Sequence, residues 1–211
     1  MRALAGILAI AVASVLVLDL AAPSIVDLEH GSVGIEPQTV DLELLPFDPD
    51  VDDPDCADAD RTDEAPCPRR YAFHAGATLT VWFSVRNGGP LPIRLLGVSD
   101  EWLGQFADVA PLARPTSDLD GGDPHAPGTL AEIVARPFAP VTLAPDDERL
   151  IGIEFAMTDD VERACQNWQA GTGIGWDAAP ISWSLIGFQH LQELAFTAPI
   201  SFIAPTEEDC S

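Results

Sequence analysis

Hydrophobic and polar positions alternate with a period of two over several stretches of this chain, and that period selects strands over helices. The clearest run is 77–86, where Leu79, Val81, Phe83 and Val85 face one way and Thr78, Thr80, Trp82, Ser84 and Arg86 the other. It ends at Asn87-Gly88-Gly89-Pro90, a turn signal because Asn and Gly tolerate positive φ. Residues 91–98 follow as a neighbouring strand with Ile93 and Leu95 on one face. In 149–157, Ile151, Ile153, Phe155 and Met157 alternate in the same way. A first strand over 33–45 is interrupted by Pro37, with Val40, Leu42 and Leu44 set against Thr39, Asp41 and Glu43. Short strands are expected at 130–134 and 141–143, and two more at 181–188 and 194–203, joined near Gln189 to Leu191.

The intervals are irregular. A helical turn is expected in 101–109, a long loop in the Asp-, Gly- and Pro-rich stretch 114–127, and a turn at Pro145-Asp146-Asp147. A loop over 158–168 carries one helical turn capped by Thr158 or Asp159, 171–176 reads as a flexible connection, and 205–211 as a polar tail. About seven short strands without a long amphipathic helix imply an all-β sandwich.

The N-terminus breaks this pattern. Arg2 precedes an uncharged, largely apolar run from Ala3 to Leu18, then Asp19, Leu20, Ala21 and Ala22 before Pro23. Sixteen helical residues span roughly 24 Å, short of a hydrocarbon core of about 30 Å; extension through Ala22 reaches it if Asp19 sits among the headgroups. A cleaved signal peptide would cut after Ala22, but Leu20 and Pro23 suit that cut poorly, so an uncleaved anchor is the preferred reading. Arg2 on the inner side exports everything that follows. The chain thus divides into a signal anchor or signal peptide (1–22), a linker (23–32, its polar part 27–32), and an extracytoplasmic domain (33–211) with an acidic loop at 48–64.

Two segments carry a family likeness. Val81-Trp82-Phe83-Ser84-Val85-Arg86-Asn87-Gly88-Gly89-Pro90 with Pro92-Ile93-Arg94-Leu95 resembles a strand pair of bacterial immunoglobulin-like domains, in which a strand ends in Asn-x-Gly. Phe138 to Asp147, followed by Leu150 to Phe155, is similar to their Leu-x-Pro-Gly turn before a strand, with Asp146 in place of the Gly. The likeness covers some 40 residues and extends to single-anchor surface proteins of high-GC Gram-positive bacteria. It implies an immunoglobulin-like fold and no particular activity.

Composition sharpens the choice of partner. The formal net charge is −24, and the ten basic residues are all arginine. Such a surface repels phosphate backbones, which excludes nucleic-acid binding. It leaves the membrane, reached through the N-terminal helix, and an unidentified protein or cell-surface polymer as partners. Cys56, Cys67, Cys165 and Cys210 fit no zinc spacing. In an oxidising compartment an even count favours two disulfides, with Cys56–Cys67 closing the acidic loop and Cys165–Cys210 tying a late loop to the tail. Residues 48–64 hold nine carboxylates. Asp48, Asp50, Asp52 and Asp55 are the candidate ligands for weak calcium binding, although Asp53 and Ala59 stand where a calcium loop of the EF-hand type needs Gly and Glu. A solvated loop is the simpler expectation, and no other cofactor is implied.

No G-x-S-x-G or S-x-x-K motif is present, Ser84, Ser182 and Ser184 read as sheet surface, and His30, His74, His125 and His190 are dispersed, with only His74 and His190 near enough to strand ends to meet. Trp82 lies on the strand face opposite the core, and Trp102, Trp168 and Trp176 fall in connections, where they would cap the core or stack on a ligand. The reading is a noncatalytic, membrane-anchored extracytoplasmic interaction or structural module, on the cell membrane as a single-pass protein with its C-terminal domain outside. The alternatives are a secreted protein and an extracytoplasmic binding protein for calcium or carbohydrate.

Overall fold

The alternating residues meet at the seam between two sheets. The computed structural model describes residues 13, 17, 20–22, 25–34, 36–38, 42, 44–45, 68–105, 112–128, 130–167 and 172–204. In chain order the elements are β1 (Leu28–His30), β2 (Glu36–Gln38), β3 (Arg69–Ala72), β4 (Thr78–Asn87), β5 (Ile93–Val98), α1 (Asp100–Gln105) and β6 (Ala113–Gly122). A 3-10 turn at Leu130–Glu132 follows, then β7 (Arg136–Pro137), β8 (Val141–Leu143), β9 (Glu148–Met157), α2 (Val161–Asn167), β10 (Gly173–Leu185) and β11 (Phe188–Ile203). One sheet runs β1-β4-β9-β6-β7, with β2 also paired to β4; the other runs β3-β11-β10-β5-β8. Only β3 and β11 pair in parallel among the described strands.

Period-two patterning fills the space between the sheets. Leu79, Val81, Phe83 and Val85 of β4 and Ile151, Ile153 and Phe155 of β9 are all inaccessible to solvent. They face Ile93 and Leu95 of β5, Ile181 and Trp183 of β10, and Phe196, Ile200 and Phe202 of β11, all buried. Each such side chain contributes about 1.5–3 kcal/mol through removal from water. Phe155 and Trp176 lie with ring centroids 5.0 Å apart, and Phe83 meets Phe196 edge-on at 5.7 Å.

Several expectations are corrected. The stretch 114–127 is not a long loop: ten of the residues from 113 onward form β6, paired along β9 with two register shifts. Its Asp, Gly and Pro content argued against a strand, but bulges absorb the poor strand formers, and Asp120 is held by arginines. The linker contains β1, and of the strand expected over 33–45 the described residues show β2 and a bridge from Leu44 to Tyr71. Residues 173–176 form the start of β10 where a flexible connection was expected over 171–176, and Leu130–Glu132 forms a 3-10 turn where a strand was expected over 130–134. β3, with the sequence Arg-Arg-Tyr-Ala, was not anticipated because four residues with two charges show no period. The β10–β11 turn lies at Ile186-Gly187, both at positive φ, and not at 189–191. The cap of α2 is Asp160, whose Oδ1 accepts from the Arg163 N–H at 2.9 Å.

Residues 13, 17, 20–22 and 25 are helical, while most of the N-terminal apolar run lies outside the described residues. Among the described residues no helix is long and apolar enough to cross a membrane. The end of the run is nevertheless part of the sandwich: Ala22, Val26 and Leu28 are buried in the main core.

Asn87 organises the end of the sandwich where the chain enters β1. It is fully buried. Its amide donates to the carbonyls of Leu91 (2.9 Å) and Leu143 (3.2 Å), and its Oδ1 accepts from the Gly89 N–H at 3.1 Å. Its backbone binds Asp146 and Asp147, and the Gly88 N–H donates to the Asp27 carbonyl. The Asn-Gly turn was expected to exploit positive φ, yet neither Gly88 nor Gly89 adopts it; Asp146 does, at φ 66°. That is the position where the resembled family carries Gly, and Asp tolerates this region better than most residues.

Candidate functional site

The outer face of the β1-β4-β9-β6-β7 sheet carries the most structured polar chemistry among the described residues. Trp82, expected to be exposed there, is completely buried. Its indole lies over Gly152 and Gly121, and its N–H donates to Gln38 Oε1 at 2.9 Å. Ser84, expected on the sheet surface, is also buried; its hydroxyl accepts from the Val33 N–H at 2.9 Å and donates to the Val33 carbonyl at 3.1 Å. Residues 31–34 and β2 thus line the edge of β4 beside these side chains, which the sequence pattern could not show because alternation marks two faces without saying what lies against the second.

Asp120 anchors the far side of this layer. Its side chain is nearly inaccessible and is met by Arg149 (2.8 Å) and Arg136 (3.0 Å). Burial opposes its charge, but hydrogen bonds from Arg149, the Gly122 N–H and Arg136 outweigh burial and hold the carboxyl below its ordinary value. Glu148 follows the same logic: burial is outweighed by the hydroxyls of Ser84 and Ser32, the Ser32 N–H and the nearby His125, so its pKa is also lowered. His125 Nε2 stands 3.2 Å from Glu148. Asp118 is the counterexample, raised because burial exceeds the help of its bond from the Val98 N–H.

Two recesses open beside these groups. One, of about 320 Å³, lies among Val33, Gly121, Pro124, Leu130, Ile133 and Leu150. The other, of about 340 Å³, is ringed by Asp123, His125, Asp146, Asp147, Glu148 and Arg149. Its carboxylates give it an electronegative lining suited to a cationic group. They stand around the opening without converging: among the described residues no three His, Cys, Asp or Glu side chains come together to hold a metal ion.

The candidate calcium ligands Asp48, Asp50, Asp52 and Asp55 lie outside the described residues, as do Cys56, Cys67, Cys210 and Trp168. Cys165, on α2, is disulfide-bonded. His74 and His190 do not meet: His74 precedes β4 at one end of the sandwich, and His190 stacks on Trp183 near the β10–β11 turn at the other, with centroids 4.4 Å apart. His30 contacts the Ala195 carbonyl through Nε2. Trp176 belongs to β10 and is buried, while Trp102 of α1 packs partly against the core, as the capping expectation held. The Asp120–Arg149–Arg136 cluster was missed because its members are 29 and 16 residues apart in sequence and meet only through strand register.

No protein-family model matches the chain, and no curated protein is detectably similar to it. Solved structures give distant likenesses. A family 123 glycoside hydrolase from Clostridium perfringens aligns over 83% of this chain and 28% of its own at 8% identity, with a TM-score of 0.35. A PapD-like domain of human CEP192 aligns over 65% of this chain and 81% of its own at 7% identity, with a TM-score of 0.27. A candidate membrane-anchored protein of Corynebacterium diphtheriae aligns over 65% of this chain and 33% of its own at 8% identity, with a TM-score of 0.30.

Proposed function

We propose that this chain is a noncatalytic interaction or structural module, an immunoglobulin-like sandwich held on the outer face of a membrane by its N-terminal apolar run. The observation that carries the reading is the join between run and sandwich. Ala22 is completely buried, and Val26 and Leu28 are 3% exposed, all within the main core. The Val26 N–H donates to the Ala22 carbonyl at 2.8 Å. Cleavage after Ala22 would cut a packed segment, so retention as an anchor suits the fold better than release. The finer fold assignment draws support from strand order: β1-β4-β9-β6 follows the A-B-E-D sheet of immunoglobulin domains and β11-β10-β5 follows G-F-C. The first strand is divided, since β1 and β2 pair with β4 whereas β3 pairs in parallel with β11. With 34 acidic and ten basic residues, the surface suits a basic protein or cell-surface polymer as partner.

A reporter fused after Ser211 is expected outside the cell, with the full-length chain in the membrane fraction. A shortened chain in the medium would overturn the anchor. Crosslinking in intact cells identifies the partner.

A second reading, binding of calcium or carbohydrate, draws on the acidic recess. A formed calcium site gives a saturable rise in Tm that magnesium does not match; an acidic surface alone gives a small rise that both ions share and sodium chloride removes. The second outcome is expected, because the carboxylates of 48–64 fit no calcium-loop spacing and no Gly supplies its sharp turn.

A further inference from the structure

We infer that the tip of the β10–β11 hairpin rests in the interfacial layer of the same membrane that holds the apolar run, so that the sandwich stands on the bilayer at two points. The inference rests on the anchored reading above.

The hairpin turn is built from residues that a water-facing turn would not favour. Ile186 adopts φ 52° and Gly187 φ 88°. Two consecutive positive φ values suit Asn-Gly or Gly-Gly; a β-branched residue there is a strained outlier. Ile186 is nonetheless 58% exposed, and Leu191, five residues on in the same hairpin, is 59% exposed. The fold thus places an apolar side chain in solvent at a conformational cost, an arrangement that accompanies functional contacts.

Register fixes which end of the sandwich this tip occupies. Gln192 clasps β1 from β11: its amide donates to the Leu28 carbonyl at 3.0 Å, and its Oε1 accepts from the Leu28 N–H at 3.4 Å. Farther along, His30 reaches Ala195. The two strands therefore run side by side in the same direction. Retracing β11 from Gln192 to the turn follows the path that β1 takes back to Val26 and Ala22. The chain enters the sandwich at this end through Ala22 and Val26, and before them Leu20 is 81% and Val17 64% exposed. Arg94, exposed on β5 and paired with Ser184 beside the tip, is placed to meet a lipid phosphate. Arg86 offsets nearby acidic charge through Glu29 at 3.4 Å and Asp146 at 3.8 Å. A lipid interface takes up an apolar tip flanked by arginine.

The test uses the full chain reconstituted in phosphatidylcholine vesicles whose acyl chains are brominated near the headgroup. Ile186→Trp adds an emitter at the tip, Asp159→Trp adds one in the loop at the opposite end, and the native chain provides the background. The added emission of Ile186→Trp is expected to fall at least twofold in brominated vesicles, while that of Asp159→Trp is unchanged. Flotation with the vesicles and equal quenching of both variants would overturn the tip contact alone. A chain that does not float overturns the anchored reading and the contact with it. A blue shift of the tip emitter in native membranes, without quenching in vesicles, assigns the tip to a protein partner and overturns the lipid contact. Ile186→Asn suits the turn and should raise Tm in detergent by about 2–4 °C, which supports a tip retained for contact; a fall in Tm would show that Ile186 serves the fold and overturn the argument from strain.

Discussion

Trp82 and Gly152 are directly paired across β4 and β9, and the indole of one occupies the space that a side chain on the other would need. A Cβ at 152 would stand 2.7 Å from Cζ3 of Trp82. Gly152→Ala should destabilise the protein by about 1–3 kcal/mol through overpacking. Thermal unfolding followed by tryptophan emission checks both the loss and its location, since displacement of the indole shifts its spectrum to the red.

Asp120 is the single buried acceptor for two arginines. Asp120→Asn leaves Arg149 without its counter-charge and should cost about 3 kcal/mol at neutral pH. Arg136→Ala, at a side chain 66% exposed, should cost under about 1 kcal/mol. The folded-state pKa of Asp120 is lowered, so its contribution is fully present above the unfolded carboxylate pKa and disappears as pH falls through the folded one. The Tm gap between native chain and Asp120→Asn should therefore be constant above about pH 5 and close progressively below about pH 4. A gap that persists unchanged into strong acid would remove the ion pair as its cause.

Asn87→Ala would strip hydrogen bonds from the carbonyls of Leu91 and Leu143 and from the Gly89 N–H at once. The expected loss is about 2–4 kcal/mol in denaturant titration. Asn87→Asp should be worse, because a carboxylate cannot donate to either carbonyl and buries a charge. Equal stability of the two variants would mean that the donated bonds contribute little.

Cys165 is disulfide-bonded, and nonreducing peptide mapping is expected to recover Cys165 with Cys210 and Cys56 with Cys67. Recovery of Cys165 with Cys56 or Cys67 would replace that pairing.

Much of the all-β character was legible in the sequence. Strands β4, β5 and β9 lie where period-two alternation placed them, with Leu79, Phe83, Ile151 and Phe155 inside, and β8 lies where a short strand was expected. Alternation is written by burial itself, so it survives in sequence wherever one face meets the core. The turn chemistry of Asn87-Gly88 and of Pro145-Asp146-Asp147 also marked special positions, although the positive φ expected at the first is absent and Asn87 acts there as a side-chain hydrogen-bonding hub.

Tertiary structure alone decided the rest. β6 is strand because β9 supplies its ladder and arginines neutralise Asp120, and no local propensity in its Asp- and Gly-rich sequence announces this. Trp82 and Ser84 read as solvent-facing because alternation gives them the outer face, and their burial rests on distant partners, Val33 and Gln38 on the chain beside β4 and Gly121 and Gly152 on β6 and β9. The burial of Ala22 and Val26 and the placement of the Ile186 turn at the end where β1 begins depend on pairings between residues more than a hundred positions apart. A sequence pattern records which side of an element is dry. It does not record which distant element makes it dry, because that is fixed by register and packing between segments whose separation along the chain leaves no local trace.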